Sequence, residues 1–265
     1  MSEWSSSSVA VNGITIHYTR TGGNRPPLIL AHGVTDSGVV WTPIARLLED
    51  RYDILLVDAR GHGHSDKPQT GYAASDHAAD LAGLIETLQL GQPDLIGHSM
   101  GARCVSTLAA LYPERVGRIV LEDPPWRVVE RDSSVAMRQF GEMIAKYQTM
   151  SRAEIAEYGR EIHPDWDEGE FEFWAESKTL VSPNVVSGRL APPIDWRDMV
   201  AQITCPTLLV TGDPDAGAIV TPETAQIVMQ LNANIELAHI PGAGHNIRRE
   251  KHQAFMAAVL TFLDS

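Results

Sequence analysis

Residues 97–101 read Gly97-His98-Ser99-Met100-Gly101, a G-x-S-x-G sequence between the apolar pair Leu95-Ile96 and the helix-like stretch Ala102–Tyr112. In that setting the serine sits on a sharp strand-to-helix turn, and the glycines leave room for close backbone packing. The turn also puts Ser99 beside a helix N-terminus, where negative charge is favoured. The chemistry implied is nucleophilic attack by a serine.

A serine hydroxyl needs a base at neutral pH. Of the 10 histidines, His245 fits best, because Gly242-Ala243-Gly244-His245-Asn246 is a Gly-rich loop after the last strand-like run. His239 and His252 read as structural residues of a strand and a helix. His98 adjoins the serine but is expected to point away from it, and His17, His77 and His163 lack supporting context. For a serine on such a turn the chain order is nucleophile, acid, base. The expected acid is Asp215, in the turn Thr211-Gly212-Asp213-Pro214-Asp215 after the penultimate strand, where such an arrangement usually places it. Asp213, followed by proline, is expected to shape that turn. Asp123, in Glu122-Asp123 at the end of Ile119–Leu121, is the alternative acid.

An oxyanion needs two preorganised donors. One is expected to be the N–H of Met100. The other is expected from His32-Gly33-Val34-Thr35, as the N–H of Val34, with His32 bracing the loop. His62-Gly63-His64-Ser65-Asp66 imitates the H-x-H-x-D opening of metal-dependent hydrolases. Lys67 follows where another histidine would be needed, and no further ligand cluster is evident, so neither a metal nor any other cofactor is expected.

These residues need elements to hold them. Val9–Val11 and Ile14–Tyr18 flank Asn12-Gly13, a strong hairpin signal. The apolar runs Leu28–Ala31, Ile54–Val57, Leu95–Ile96, Ile119–Leu121, Thr207–Val210 and Ile235–Ile240 read as buried strands. They alternate with helix-like Thr42–Leu48, Asp76–Leu90, Ala102–Tyr112, Pro222–Leu231 and Lys251–Leu263. That alternation implies crossover units and a mostly parallel sheet covered on both faces. From Trp126 to about Asp195 no strand-like run appears. Helix-prone Val135–Thr149, Ala153–Arg160 and Glu170–Thr179, then the loop-like Ser182-Pro183-Asn184 and Ala191-Pro192-Pro193, read as an inserted helical cap. The expected division is a core of 1–124 and 196–265 and a cap of 125–195. The acidic run Asp165–Glu172 reads as a solvated cap face rather than a substrate gate.

The chain has 265 residues, 43% apolar and 21% charged, enough for one α/β domain with an insertion. A net charge of −13 repels phosphate backbones and anionic membranes, so a nucleic-acid or membrane partner is not expected. Cys104 and Cys205 form no ligand spacing and read as buried thiols. Met1 to Ala10 lacks a basic n-region and an apolar h-region, and no stretch reaches the roughly 18 apolar residues of a membrane span. A cytoplasmic protein is the expectation; the oligomeric state is left open.

Taken together, His32-Gly33, Asp58-Ala59-Arg60-Gly61-His62-Gly63-His64-Ser65, Gly97–Gly101, Gly212–Asp215 and Gly244-His245 resemble the α/β-hydrolase superfamily, in order and over nearly the whole chain outside the cap. The resemblance implies an eight-stranded, mostly parallel sheet with helices on both faces and an inserted helical cap. Ser99 disfavours the branches that use an aspartate nucleophile. Length, cap and Leu121-Glu122-Asp123-Pro124-Pro125-Trp126 are similar to bacterial carboxylesterases that include cofactor-free N-acyl homoserine lactonases. On that likeness the substrate is a small, largely apolar ester or lactone, with Trp126 shaping an acyl pocket. Other serine chemistry on the same residues (C–C bond, amide or lactam hydrolysis, or perhydrolysis) is the alternative. From another class comes a ligand receptor that retains its triad.

Overall fold

The computed structural model describes residues 4–128, 133–187 and 194–265. Strands β1 (Ser5–Val11) and β2 (Ile14–Arg20) pair antiparallel across Asn12 and Gly13, both at positive φ, as a tight hairpin turn requires. The chain continues through β3 (Pro27–Ala31), α1 (Thr42–Leu48), β4 (Asp53–Val57), α2 (Ala74–Thr87), β5 (Asp94–His98), α3 (Met100–Leu111) and β6 (Ile119–Glu122). Helices α4 (Ser133–Gln148), α5 (Arg152–Ile162), α6 (Glu168–Lys178) and α7 (Asn184–Ser187) follow. Then come α8 (Trp196–Gln202), β7 (Thr207–Thr211), α9 (Pro222–Leu231), β8 (Ile235–His239), α10 (Ile247–Glu250) and α11 (His252–Leu263).

The eight strands form one sheet in the order β1-β2-β4-β3-β5-β6-β7-β8, parallel from β4 to β8. Its inner parallel strands are mostly apolar because both faces are covered, and the two-residue period sorts their side chains into two cores, whereas the edge strand β8, expected to be buried, exposes Glu236, Leu237 and His239. In β3 and β4, Ile29, Ala31, Leu55 and Val57 join the core under α2 and α3. Leu28, Leu30, Ile54 and Leu56 join the opposite core under α1 and α11. Cys104 and Cys205 are both buried and not joined in a disulfide.

Between β6 and α8 no strand occurs among the described residues. Tyr147, Ile155, Trp166, Phe171 and Trp174 there form an apolar cluster of their own. Ser151 caps α5 with a capping box to Glu154, which fixes where that helix begins. Of the segment expected to be a loop, Ser182 and Pro183 are non-helical, and Asn184 opens the single turn α7. The proline-rich Ala191-Pro192-Pro193 lies outside the described residues. Helix α8 was not expected from the pattern; at seven residues it is too short for a clear period, and Asp195 caps it by accepting from Arg197 N. No helix among the described residues is long and apolar enough to cross a membrane.

Candidate active site

Ser99 is the hinge between β5 and α3, at φ 53° and ψ −113°, a left-handed conformation that a side-chain-bearing residue rarely adopts. The two flanking glycines are needed for contact. A Cβ on Gly97 would lie 2.6 Å from Gly101 and Ala102, and one on Gly101 would lie 2.2 Å from Ala31 O. Their absence lets the N-terminus of α3 close onto the ends of β3 and β5 with Ser99 at the crest.

His245 follows β8 and reaches back over that crest. Its Nε2 lies 3.0 Å from Ser99 Oγ, and its Nδ1 lies 2.6 Å from Asp123 Oδ2. The carboxylate can only accept, so Nδ1 carries the proton and Nε2 is left as the acceptor for the serine hydroxyl. Asp123 is fully buried, whereas His245 keeps 30% of its side chain exposed. The acid is therefore dry while the imidazole stays within reach of a substrate.

The expected acid is thus corrected. Asp215 is exposed on a single 3-10 turn, Pro214–Ala216, and does not meet His245. Its strand end, β7, lies one place farther from the nucleophile strand than β6, which carries Asp123. The loop after β7 still serves the acid, through its backbone: Ile219 N donates to Asp123 Oδ2 at 2.8 Å and Val220 N to Oδ1 at 2.9 Å. Asp123 itself stands at φ 42°, which turns its carboxylate off the strand end toward His245. The sequence carries one signal for this: an Asp, which tolerates the left-handed region, directly after a strand and before Pro124-Pro125. Asp213 shapes its turn as expected, accepting from Gly242 N at 2.6 Å and facing His239 Nε2 at 3.0 Å.

Among the described residues neither Val34 N–H nor Met100 N–H has an internal acceptor, so both are free to receive an oxyanion. The loop bearing Val34 is pinned at its carbonyls. Ala59 N donates to His32 Nε2 at 3.0 Å, so His32 donates from Nδ1 to Gly33 O at 2.8 Å. Asp36 N also donates to Gly33 O. That carbonyl belongs to the same peptide plane as the Val34 N–H, so holding one aims the other. His62 Nε2 lies 2.8 Å from Val34 O and its Nδ1 2.8 Å from Arg60 O. Burial pushes the His62 pKa down to about 4, so at neutral pH the ring donates to one of the two.

His98 turns away from the serine, as expected, and takes a role that the sequence does not reveal. Burial holds its imidazole neutral, and its Nε2 donates to His245 O at 2.9 Å, bracing the histidine loop from below. Trp126 is a second correction. It is 1% exposed, sits in the main core and stacks on Trp196 at 5.9 Å between ring centres, so among the described residues it packs rather than forming a pocket wall. In the metal-like run, His64 N and Ser65 Oγ bind Asp58 and Asp66 accepts from Thr15 N.

A second serine relay tests how far side-chain pairing alone can be read. Ser6 Oγ lies 2.7 Å from His17 Nε2, and His17 Nδ1 lies 2.8 Å from Asp58 Oδ2. Ser6, however, is exposed within the edge strand β1, and no helix begins behind it. Of these two relays, only that of Ser99 joins a strained elbow and two unengaged backbone donors.

The alpha/beta hydrolase fold model matches residues 26–148, which run from β3 through the nucleophile elbow and the acid into α4. The chain is 31% identical to 2-(acetamidomethylene)succinate hydrolase of Mesorhizobium japonicum, over 97% of this chain and 94% of that one. The chain belongs to the α/β-hydrolase family. It is also 29% identical to N-formylmaleamate deformylase of Pseudomonas putida, over 97% of this chain and 96% of the other. The crystal structure of E-2-(acetamidomethylene)succinate hydrolase overlays with a TM-score of 0.83 at 28% identity, covering 99% of this chain and 100% of that one. A hydrolase is what family and fold establish; the bond it cuts is a separate question.

Proposed function

We propose that this α/β-hydrolase is a serine hydrolase cleaving a carboxylic ester through an acyl-enzyme, with lactones within its range. The observation that carries the reading is the continuous relay Ser99–His245–Asp123 at 3.0 and 2.6 Å beside two unengaged N–H groups. Ser99 Oγ attacks the carbonyl carbon while His245 Nε2 takes its proton, and the buried Asp123 carboxylate offsets the imidazolium charge. The oxyanion is received by Met100 N–H and Val34 N–H. Collapse expels the alcohol oxygen, which takes the proton from His245. Water then repeats the sequence on the acyl-enzyme, releasing the acid and restoring Ser99.

A second reading, amide hydrolysis, is favoured by the two relatives named above, whose names describe an acetamido and an N-formyl compound. The same relay serves it if His245 protonates a leaving nitrogen. The experiment is kcat/KM for aryl esters of graded chain length, N-acyl homoserine lactones, and N-formyl and N-acetyl amides of unsaturated dicarboxylic acids. Turnover of esters and lactones supports the first reading; turnover of amides alone replaces it with the second. Absence of any acyl transfer to Ser99 overturns both.

A further inference from the structure

Lys178, the last residue of α6, is fully buried, and its ammonium has three donors and three acceptors. It donates to Thr35 O at 3.0 Å, to Thr35 Oγ1 at 2.9 Å and to the carboxylate of Asp36. Thr35 and Asp36 continue the loop that bears Val34. The same helix holds Glu170, which accepts from Arg249 Nε at 3.1 Å. Arg249 in turn donates to Asn246 Oδ1 at 3.1 Å, one residue beyond His245, and faces Asp36 at 3.6 Å. One helix of the inserted segment therefore grips both the Val34 loop and the histidine loop.

We propose that Lys178 is a positioning residue, fixing the loop that aims the Val34 N–H so that the oxyanion geometry is complete only while α6 is docked on the core. The inference rests on the serine-hydrolase reading, since it assigns Lys178 a part in that reaction. The physical argument concerns peptide planes. His32 and Asp36 N–H hold the Gly33 carbonyl, but Asp36 can do so only if its own peptide is held, and Lys178 holds that peptide through Thr35 O. Releasing Thr35 O frees the Asp36 N–H to swing, and with it one of the two restraints on the Gly33–Val34 plane. The Asp36 carboxylate is the second grip. Burial opposes its charge, but Lys178, Arg249 and Arg248 outweigh that and hold it well below the usual carboxylate range.

The probe is a fluorophosphonate, whose phosphoryl oxygen takes the oxyanion position and which needs no knowledge of the substrate. Three variants are compared with wild type: Lys178→Met, the pair Lys178→Met/Asp36→Asn, which leaves no uncompensated charge, and Arg152→Met. The last breaks the exposed pairs of Arg152 with Glu172 and Glu176, a contact to α6 that does not reach the loop. Removing an oxyanion donor costs roughly 10²–10³-fold, so a misaimed donor should slow labelling by about 10- to 100-fold. That loss is expected in both Lys178 variants, with a matching fall in kcat and little change in KM, and Arg152→Met should label at the wild-type rate. A folded double variant that labels as fast as wild type overturns the proposal, as does an equal loss in Arg152→Met. Failure of wild-type Ser99 to label at all refutes instead the serine-hydrolase reading on which it rests.

Discussion

Replacing Asp123 by asparagine is the sharpest single perturbation of the relay, because both carboxylate oxygens are engaged. Oδ2 faces His245 Nδ1 at 2.6 Å and Ile219 N at 2.8 Å, while Oδ1 accepts from Val220 N at 2.9 Å. An amide has one acceptor and one donor end, and neither orientation fits. With the NH2 toward His245, the imidazole must present a lone pair at Nδ1, so its proton moves to Nε2 and it can no longer accept from Ser99. With the NH2 toward Ile219 and Val220, donor meets donor, and an unsatisfied buried group costs about 1–3 kcal/mol. Loss of the correct tautomer in a serine triad costs roughly 10⁴-fold in kcat, about 5.4 kcal/mol of barrier at about 1.36 kcal/mol per tenfold. Asp215→Asn changes an exposed turn and should leave kcat within about twofold, the range of surface substitutions. The assay is kcat on any ester turned over by wild type, with thermal melts to show that both variants fold. If Asp123→Asn keeps a tenth of wild-type activity or more, or Asp215→Asn is the crippled variant, the relay assigned above is wrong.

Ser99→Ala should lower kcat by roughly 10⁴–10⁶-fold, since relay members act as a unit, and it should abolish fluorophosphonate labelling. Mass mapping that found the label on Ser6 in this variant would show that the hairpin relay is itself reactive. Trp126→Ala should destabilise the fold by about 3–5 kcal/mol, as for other buried tryptophans, and leave the order of preference among acyl chain lengths unchanged; a selective loss on long chains would return it to a pocket wall. Rising pH should reduce kcat as Lys178 loses its proton, because burial pushes its pKa down to about 8, with Asp36 drawing it up and Arg249 and Arg248 pressing it down. Glu170 on Arg249 adds a further charge nearby, and the neighbouring His32 and His163, both pushed down by burial, stay neutral throughout this range. Lysine in the unfolded chain holds its proton to 10.5, so between 8 and 10.5 the unfolded state binds more protons, and this group's contribution to stability rises with pH. Activity should therefore fall through that window without a fall in Tm attributable to Lys178; a flat kcat there would count against the assignment.

What the sequence carried and what it withheld follow from the range of the interactions. The hairpin at Asn12-Gly13, the two-sided strands and the elbow at Ser99 are set by neighbours within a few residues, so pattern alone locates them. The acid is different. Asp123 and Asp215 both follow strands, and choosing between them requires knowing that β6 stands next to β5 and that Asp123 turns through positive φ. Trp126 follows the same logic in reverse, since its place near the exit to the insertion resembled a pocket wall until Trp196, 70 residues onward in sequence, was seen stacked on it. The acidic run 165–172 divides. Glu168 and Glu172 face solvent and pair with Arg160 and Arg152, whereas Glu170 is buried against Arg249, a distinction that helix phase alone cannot supply without the partner surface.

Lys178 was the least legible residue because its significance lies wholly in long-range pairing. Around it, Asp36, Glu122 and Glu170 meet Lys178, Arg248 and Arg249 in a buried set of three acids and three bases. Buried ion pairs lose in desolvation much of what they gain by attraction, so such a set is a poor source of stability. Its members are placed, however, one step from the chemistry. Glu122 adjoins Asp123 and grips Arg248, whose N–H and guanidinium both bind it. Arg249 holds Asn246 beside His245, and Lys178 holds Thr35 beside Val34. Acid, base and oxyanion loop come from three separate strand ends, and an apolar contact between them would fix distance but not the direction of a donor. Charged hydrogen bonds fix both, which accounts for the polar scaffold beneath a site whose strands are mostly apolar.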